Sequence, residues 1–476
     1  MSDSIAMSER LSAQDVERLR ALLAENTNGM VQFLPFSVPS DMHSQLKKMY
    51  RMRFPSSNWL FLVFALLLSI DAVLARKSKQ NVHLHMTKRE IEHYFGVKDH
   101  TKIPEYDISS PHHTDVNGRT TSPFRIRRDV GHSDILHYDV HAFGSKLRLR
   151  LKRNGNLMAP NLVIERHHGE GMVTTQSAPK NKYYLGQVLS DPDSLVALRG
   201  DRSLMGMIRT SRETLFIQPL SPHLARRVRR NAYSTPHLIY RIPTQEAVSC
   251  EMQSTGKDRI KRSTLNRRTR EVKTNGYKFL EGALIVPKSY EEKYGTDEFA
   301  TVLLAIANMV AGMYQDPSIG KIKVYYVVTK IVVMESTVKL ANFTKVDSNS
   351  KKLTQMLKWA GPSTLRSNND PDHYDVFSYV SKYVLSLDPR MNIKIIFIRR
   401  HVCRAQHWGN GNINADVGLQ TALHVAHEIG HNLYLDHDGD VGCPQHQYIM
   451  EAVLLSGIYA ATWSNCSRRV LQEFLG

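Results

Sequence analysis

The chain has 476 residues, of which 42% are hydrophobic and 23% charged, and this length allows two or three domains with a core each. An excess of 63 Lys and Arg over 45 Asp and Glu gives a formal net charge of +18. Such a charge is compatible with polyanionic partners. The basic residues nevertheless fall in short clusters without interleaved aromatic residues, so we expect no nucleic-acid partner.

The N-terminal part begins with polar residues 1–51, which carry no recognisable chemistry. The apolar run 59–70 that follows is too short for a comfortable membrane span. A basic residue precedes this run and small residues follow it, which is the pattern of a signal peptide that starts at Met52. We therefore predict an extension over 1–51, which is artefactual if translation starts at Met52, and a signal peptide over 52–75. The alternative is a membrane anchor over 59–75.

Residues 134–220 have the pattern of β-structure. Within them, leucines alternate with basic residues at a period of two, which places the leucines on one face: Leu147, Arg148, Leu149, Arg150, Leu151 and Lys152. Asn154-Gly155 then predicts a β-hairpin. This part of the chain is expected to be a β-rich domain.

Four basic quartets have the Arg-x-Lys/Arg-Arg form that furin-type convertases cleave: 125–128, 150–153, 227–230 and 259–262. The quartet 150–153 lies inside a predicted strand and is best interpreted as solvated charge. The others lie in loop-like sequence, where a protease can bind an extended backbone. The run 267–270 is a looser match.

The second half of the chain alternates strand and helix patterns. Apolar residues over 279–286 predict a strand, and 296–315 has helical periodicity up to a stop at Asp316-Pro317. Residues 322–335 predict one strand or two, and 393–398 a further strand. Asn342 and Asn465 each begin a glycosylation acceptor sequence.

The stretch from His427 to Asp438 contains His-Glu-x-x-His followed by a third histidine, His437. On a helix, His427 and His431 lie on one face, where two neutral imidazoles can bind one zinc ion. Glu428 lies beside them and can take a proton from water that the metal activates. His437 completes the set and leaves the fourth zinc position open, as catalysis requires. Although the chain has 22 His, chance produces this three-histidine pattern in only about 0.2% of such chains, so we prefer the metal site.

This pattern, followed directly by Asp438, resembles the metzincin zinc endopeptidases and, within them, the reprolysin (ADAM and ADAMTS) branch. The likeness continues in the phrases Gly418-Leu419-Gln420-Thr421-Ala422, Tyr448-Ile449-Met450 and Trp463-Ser464-Asn465-Cys466-Ser467. Weaker matches, in the family's order, extend it back to about residue 130. Tyr434 departs from the family pattern, which usually has Gly where the helix ends. If that turn needs a positive φ, a Tyr there costs about 1–3 kcal/mol.

The resemblance implies roles for residues outside the motif. Met450 matches the family's Met-turn, an apolar floor under the zinc histidines. Cys443 and Cys466 match positions that are disulfide-bonded in the family, and closing that loop contributes about 3 kcal/mol. Glu281 and Asp375 match positions that hold a structural Ca²⁺, so calcium is a candidate second cofactor beside zinc.

Cys250 lies in a context similar to the family segment whose thiolate blocks the zinc of the zymogen. A thiolate is a strong zinc ligand and fills the open position; the alternative is a small buried thiol. A cut after Arg230 leaves Cys250 attached to the protease, whereas a convertase cut after Arg262 frees it. We therefore predict a pro-domain over 76–262 and a catalytic domain over 263–476.

The predicted fold is a β-rich pro-domain followed by an α/β metzincin catalytic domain with a twisted mixed sheet above the cleft. The chain stops where the catalytic domain is expected to end, without the disintegrin and thrombospondin-type modules that usually follow. The predicted function is a secreted zinc endopeptidase that hydrolyses proteins of the extracellular matrix or cell surface. Tyr434 and a poor match to the family over 378–414 leave an alternative, a zinc-binding protein with weak or no activity.

Overall fold

The computed structural model describes residues 82–97, 99–120, 134–200, 203–228, 235–241, 248–253, 277–338, 340, 349–382, 393–398, 409–443, 448–451, 453–454 and 461–475. For 248–253, 349–350, 393–398 and 453–454 only the backbone is described. The predicted extension 1–51, the signal or anchor segment within 52–75, the cut after Arg262 and the acceptor Asn342 lie outside these ranges. All described residues belong to one unit, Ser78–Gly476.

The described strands, in chain order, are β1 (Tyr106–Ser109), β2 (His112–Thr114), β3 (Ile135–Ala142), β4 (Ser145–Arg153), β5 (Met158–His167), β6 (Val173–Ser177), β7 (Tyr183–Val188), β8 (Asp191–Gly200), β9 (Leu204–Arg209), β10 (Thr214–Pro219), β11 (His237–Arg241), β12 (Val248–Gln253), β13 (Tyr277–Pro287), β14 (Lys323–Met334), β15 (Val376–Ser381), β16 (Ile393–Ile398), β17 (Gly411–Ala415) and β18 (Val453–Leu454). The described α-helices are α1 (Lys88–Phe95), α2 (Pro222–Val228), α3 (Lys288–Tyr294), α4 (Phe299–Gln315), α5 (Asn349–Ala360), α6 (Thr421–Asn432) and α7 (Asn465–Leu475).

The first sheet is antiparallel and has the order β1-β11-β10-β9-β8-β7-β4-β3-β2. Strand β4 shows why these residues form it: Leu149 and Leu151 are fully buried, and the basic residues that alternate with them are exposed. The predicted β-rich region ahead of the catalytic motif is confirmed.

The prediction of a β-hairpin at Asn154-Gly155 is wrong. The chain does turn there, with Leu157 N donating to Asn154 O at 3.4 Å. However, β4 pairs with β3 and β7, whereas β5 pairs with β14 and β6 in another sheet. Turn chemistry is local, and tertiary packing decides which strand the chain pairs with after the turn. Here the turn carries the chain from one sheet to the other.

The second sheet is mixed and has the order β18-β12-β16-β17-β15-β13-β14-β5-β6. Its centre is parallel, and β16 runs antiparallel to β17. Every residue of β15 and β17 is buried, as expected for parallel strands that are covered on both faces. The predicted mixed sheet is confirmed, and three strands from the N-terminal half, β5, β6 and β12, extend it at its two ends.

Helix α4 lies between the two sheets. Residues 299–314 are all buried, and the helix packs against β14 of the second sheet and against β7, β8 and β9 of the first. A helix that is apolar on every face needs such cover. Among the described residues, no single helix is long and apolar enough to cross a membrane; α3 and α4 meet that measure only as a pair bent by 96°.

The elements around the motif agree with their predicted positions. Strand β13 and helix α4 fall where the apolar runs indicate, and α4 stops before Asp316-Pro317. The stretch 322–335 is one strand, β14, whose pairing with β5 is irregular near Thr329. Helix α6 packs against α4 and β17, which fixes the position of the histidine motif.

Candidate metal centre and catalytic helix

Three histidines converge at the C-terminal end of α6. His427 and His431 lie one turn apart with ring centroids 4.6 Å from each other. The chain then leaves the helix and brings His437 back, so that His431 Nε2 is 3.0 Å from His427 Nε2 and 3.2 Å from His437 Nε2. All three side chains are buried. The fold therefore brings together the three residues that the motif singles out.

The hydrogen bonds of these rings show which nitrogen faces the centre. His427 Nδ1 lies 2.6 Å from Ile449 O, and His431 Nδ1 lies 2.7 Å from Leu435 O. A carbonyl can only accept, so Nδ1 carries the proton in each ring and Nε2 carries a lone pair. Burial, followed by the nearby His437, lowers the pKa of His427 to about 3 and favours the neutral ring. Lone pairs this close repel one another unless a cation lies between them, and nitrogen ligands of this kind suit zinc.

Glu428 is fully buried on the same helix, and its Oε1 lies 3.9 Å from His427 Nε2. Its position beside the histidines, one residue along the helix from His427, leaves it outside the converging nitrogens. A carboxylate there can exchange a proton with a molecule that occupies the open side of the metal centre.

The segment of Met450 closes the centre from below. Asp438 N donates to Met450 O at 2.9 Å, and Ile449, next to Met450, accepts from His427. A Cβ atom on Gly430 would lie 2.5 Å from Met450 Sδ. A side chain at this position would displace the Met450 side chain, so Gly430 is a site residue that the sequence analysis missed. The sequence feature that could have revealed it is a glycine in the interior of a helix, between the two histidines.

Tyr434 has a φ of 75°, in the left-handed region that a non-glycine residue rarely adopts. Its N–H donates to His431 O at 3.1 Å and ends the helix. Its ring lies against Phe474 of α7, with centroids 4.8 Å apart. The turn therefore does take a positive φ, and an aromatic contact with the last helix accompanies it.

Asp438, directly after the third histidine, ties the motif to the start of α7. It accepts hydrogen bonds from the hydroxyls of Ser464 and Ser467, the latter at 3.1 Å. Burial raises the pKa of its carboxyl group, against the lowering effect of the two serines. A disulfide between Cys443 and Cys466 closes the same loop.

A buried asparagine network supports the helix from the sheet side and was also missed by the sequence analysis. Asn412 Nδ2 donates to Asn432 Oδ1 at 2.9 Å, and Asn414 Nδ2 donates to Asn412 Oδ1 at 2.7 Å. All three residues are fully buried. Asn412 and Asn414 lie two residues apart on β17, and this alternation was the available signal. The network links the last residue of α6 to the central sheet.

The candidate calcium residues form a second, separate cluster. Glu281 N donates to Asp375 Oδ2 at 2.8 Å, and Asp375 N donates to Glu281 O at 2.9 Å. His373 adds its ring, with Nε2 3.4 Å from Asp375 Oδ1. The pKa of Glu281 is raised, first by burial and then by the charge of Asp375. The three side chains can offer one ligand atom each to a single ion.

Cys250 lies in strand β12, of which the backbone is described. This strand runs between β16, to which it is parallel, and β18, to which it is antiparallel. Strand β18 follows Met450 by a few residues. The strand that contains Cys250 is therefore the second strand from the β18 end of the sheet, inserted between two strands that follow it in the sequence.

Comparison with known proteins agrees with this architecture. Residues 107–189 match the reprolysin family propeptide, and residues 278–476 match the Reprolysin (M12B) family zinc metalloprotease domain. The fold and the histidine set define a metzincin-type zinc metalloprotease domain. The sequence thus combines the reprolysin family's propeptide with that family's zinc metalloprotease domain, in this order along the chain.

Two relatives illustrate the likeness. "A disintegrin and metalloproteinase with thrombospondin motifs 7" from Homo sapiens is 27% identical over 381 residues, 74% of this chain and 22% of that protein. "A disintegrin and metalloproteinase with thrombospondin motifs 12" from Mus musculus is 25% identical over 409 residues, 78% of this chain and 25% of that protein. The chain thus spans about a quarter of the length of these relatives. Among solved structures, metalloproteinase-II from Bacteroides fragilis aligns with a TM-score of 0.39 and 12% identity, over 70% of this chain and 89% of that one.

Proposed function

We propose that this chain is the latent form of a zinc endopeptidase that hydrolyses peptide bonds in proteins. The observation that carries the proposal is the convergence of three histidine Nε2 atoms, with Glu428 buried beside them. His427, His431 and His437 are the zinc ligands. The match to the reprolysin protease domain supports the class of activity, and we propose that this chain itself hydrolyses peptide bonds.

The roles of the residues follow from their positions. Zinc, when bound, polarises the scissile carbonyl and makes water a better nucleophile. Glu428 accepts a proton from the attacking water at its carboxylate and passes it to the leaving amine. The carbonyls of Ile449 and Leu435 hold the first two imidazoles in the tautomer that presents Nε2 to the metal.

Latency is assigned to the N-terminal half. We assign residues 76–262 to the pro-domain and 263–476 to the catalytic domain, with maturation by a furin-type convertase after Arg262. Cys250 is the proposed thiolate that fills the open zinc position. The backbone of β12 supports this assignment, since the strand is inserted between β16 and β18 of the catalytic half.

Location, substrates and the second metal complete the proposal. Secretion through the segment 52–75 places the enzyme outside the cell, where matrix or cell-surface proteins are its substrates; the alternative is an anchor over 59–75. Both relatives described above carry the word metalloproteinase in their names, which supports a protein substrate. Calcium is the proposed occupant of the cluster around Glu281 and Asp375.

One observation favours a second candidate function, zinc binding with little catalysis. Tyr434 holds a positive φ at the point where the chain turns to deliver His437, and strain there disturbs the geometry of the third ligand. Peptide hydrolysis measured at saturating zinc, after release of the propeptide part, separates the two functions.

The test of the proposed chemistry compares two substitutions in the full chain after maturation. Glu428→Ala keeps one zinc per molecule, because Glu428 is not a ligand, and lowers peptide hydrolysis by about two to four powers of ten. His431→Ala loses zinc and activity together. Metal content by mass spectrometry and turnover of a peptide library give the two readouts. Near-native turnover by Glu428→Ala would show that another group moves the proton.

The test of latency uses Cys250. Cys250→Ser in the uncut precursor is expected to raise peptide hydrolysis measurably, because a hydroxyl is a much weaker zinc ligand than a thiolate. Arg262→Ala is the partner variant and impairs maturation unless the cut moves to Arg270. An uncut Cys250→Ser precursor that stays silent contradicts the thiolate role and leaves steric cover by the pro-domain.

A further inference from the structure

Helix α4 belongs to the catalytic half, yet one of its faces packs against strands β7, β8 and β9 of the N-terminal half. Thr301, Asn308 and Gly312 lie on that face, since seven and four residues correspond to about two turns and one turn. Thr301 O accepts a hydrogen bond from the hydroxyl of Tyr183 at 3.1 Å. The face is part of one hydrophobic core that is shared by both halves of the chain.

Gly312 marks a close approach of the two halves on this face. A Cβ atom placed on it would lie 3.1 Å from Leu185 and 3.3 Å from Leu195, both on the first sheet. Small residues let a helix lie close against a sheet. At Gly312, α4 and the first sheet are therefore packed as closely as elements inside a protein core.

Asn308 makes both of its side-chain hydrogen bonds to the N-terminal half. Its Nδ2 donates to Tyr184 O at 3.0 Å, and its Oδ1 accepts from Asn154 Nδ2 at 3.0 Å. Asn308 is fully buried. Removal of the N-terminal half therefore leaves a polar group without partners in the middle of an apolar helix, unless water or a rearrangement replaces them.

Two buried ion pairs also cross between the halves. Arg209 of β9 pairs with Asp316, which follows α4, and both side chains are less than a tenth exposed. Arg166 of β5 makes a two-point contact with Glu291 of α3, at 2.6 and 2.8 Å. Breaking such pairs leaves a buried carboxylate with less charge compensation, which is the costly case for buried charges.

The backbone adds two further contacts. Strand β5 pairs in parallel with β14 over the second half of that strand, so that loss of the N-terminal half exposes an unpaired edge. Helix α1 reaches the turn that opens α6: a Cβ on Gly96 would lie 2.4 Å from Val417 O, and Gln420 Nε2 donates to Phe95 O at 3.4 Å. The N-terminal half thus contacts the catalytic half along α4, along β14 and at the turn before α6.

We propose that the N-terminal half remains bound to the catalytic half as a separate chain after the connection 254–276 is cut, held mainly by the α4 face. Strand β12 lies before the cut and stays with the bound half. The structural part of this inference stands by itself, whereas its consequence, that cutting alone does not activate the enzyme, rests on the proposed function. A second event that removes the N-terminal half then becomes the activating step.

The experiment places the recognition site of a sequence-specific protease within 254–276 of the full chain. The chain carries Glu428→Ala so that self-cleavage does not interfere, and it is cut after folding. Gel filtration across a 100-fold dilution series is expected to show one complex, and a non-reducing denaturing gel shows two separate chains. Separate elution of the halves at the highest concentration overturns the proposal.

Substitutions on the N-terminal side locate the interface without altering the catalytic half. Leu185→Arg together with Arg209→Ala is expected to raise the dissociation constant by about 100-fold or more, because it wedges the α4 face and leaves Asp316 unpaired. Leu189→Arg is the matched control, because Leu189 is 43% exposed and lies four residues from Leu185. Equal dissociation of variant and control overturns the assignment to the α4 face. Thermal melting of the uncut variants checks that they fold. If the double variant does not fold, Arg209→Ala alone is used instead, and it is expected to raise the dissociation constant by about tenfold.

The same cut, made in the chain with Glu428 intact, tests the consequence. The cut complex is expected to hydrolyse a peptide library no faster than the uncut chain, and gains activity only after a chaotrope removes the N-terminal half. Full activity in a complex that still co-elutes overturns the latency of the bound form. Co-elution does not depend on catalysis, so failure of the proposed enzyme activity leaves this inference testable.

Discussion

Within the described part of the chain, two clusters could bind metal ions, and they are built in different ways. The histidine centre is fully buried, uses three nitrogen atoms, and fixes two of its rings through backbone carbonyls. The cluster of Glu281, His373 and Asp375 is partly exposed and mixes two carboxylates with one imidazole. In this cluster, the carboxylate of Asp375 already accepts a hydrogen bond from the backbone N–H of Glu281.

The two clusters therefore differ in how far hydrogen bonds within the protein already use their ligand atoms. In the histidine centre, the three Nε2 atoms lie within reach of one ion, and a cation stabilises the lone pairs of His427 and His431 that converge there. In the second cluster, one oxygen of Asp375 already accepts a hydrogen bond from Glu281 N–H. Calcium prefers six to eight oxygen ligands, which is more than these three side chains offer. We therefore expect tight zinc binding at the first cluster and modest calcium binding at the second.

The largest expected effect is a clean division of zinc binding between the clusters. His427→Ala should reduce bound zinc from one equivalent to none, because two imidazoles hold zinc far more weakly than three. His373→Ala, the matched histidine change in the second cluster, should leave the zinc equivalent in place. Metal analysis after dialysis measures both. Loss of zinc from His373→Ala would break the distinction between the clusters.

The next effect concerns Asp375. Asp375→Ala removes the acceptor for Glu281 N–H and should destabilise the protein by about 1–3 kcal/mol with or without calcium. Asp375→Asn retains an acceptor oxygen and should lose only the calcium-dependent part of the stability. Thermal melting in chelator and in added calcium provides the measurement. A calcium-induced rise in melting temperature that survives in Asp375→Asn would place calcium elsewhere.

A smaller effect is expected at Gly430, which lies between the zinc histidines. Gly430→Ala should destabilise the folded protein by about 1–3 kcal/mol, because its methyl group displaces the side chain of Met450. Met450→Ala combined with Gly430→Ala should recover part of the Gly430→Ala loss, since the clash is then removed. A double-mutant cycle in denaturant measures the coupling. Strict additivity of the two changes would contradict the contact.

The smallest effect is expected at Tyr434. Tyr434→Gly removes backbone strain of about 1–3 kcal/mol but also the ring contact with Phe474, worth about 0.5–1.5 kcal/mol. The two terms largely offset each other in the native chain, so the stabilisation expected from the sequence alone shrinks. In a Phe474→Ala background, Tyr434→Gly should stabilise more than in the native chain. Equal effects in both backgrounds would show that the ring contact contributes nothing.

Much of the candidate site could be predicted because its information is local. The spacing of His427, His431 and His437 specifies one helical face and one return of the chain, and the structure brings these three residues together. The alternation in β4 and the apolar runs of β13 and α4 likewise follow from nearest neighbours along the chain. The sequence analysis considered a positive φ at Tyr434, and the structure has one.

The sequence by itself predicted the chemistry, namely which side chains can bind zinc and which carboxylate can move a proton, and it predicted the elements with strong periodicity, such as β4, β13 and α4. Only the tertiary structure decided that Asn154-Gly155 carries the chain between two sheets, that Met450 needs Gly430 below the helix, and that Asn412 supports Asn432. It also decided that α4 is shared by both halves of the chain. The physical reason is that periodicity and turn propensity depend on residues a few positions apart, whereas these contacts join residues whose proximity is fixed only when the separate elements pack into one core.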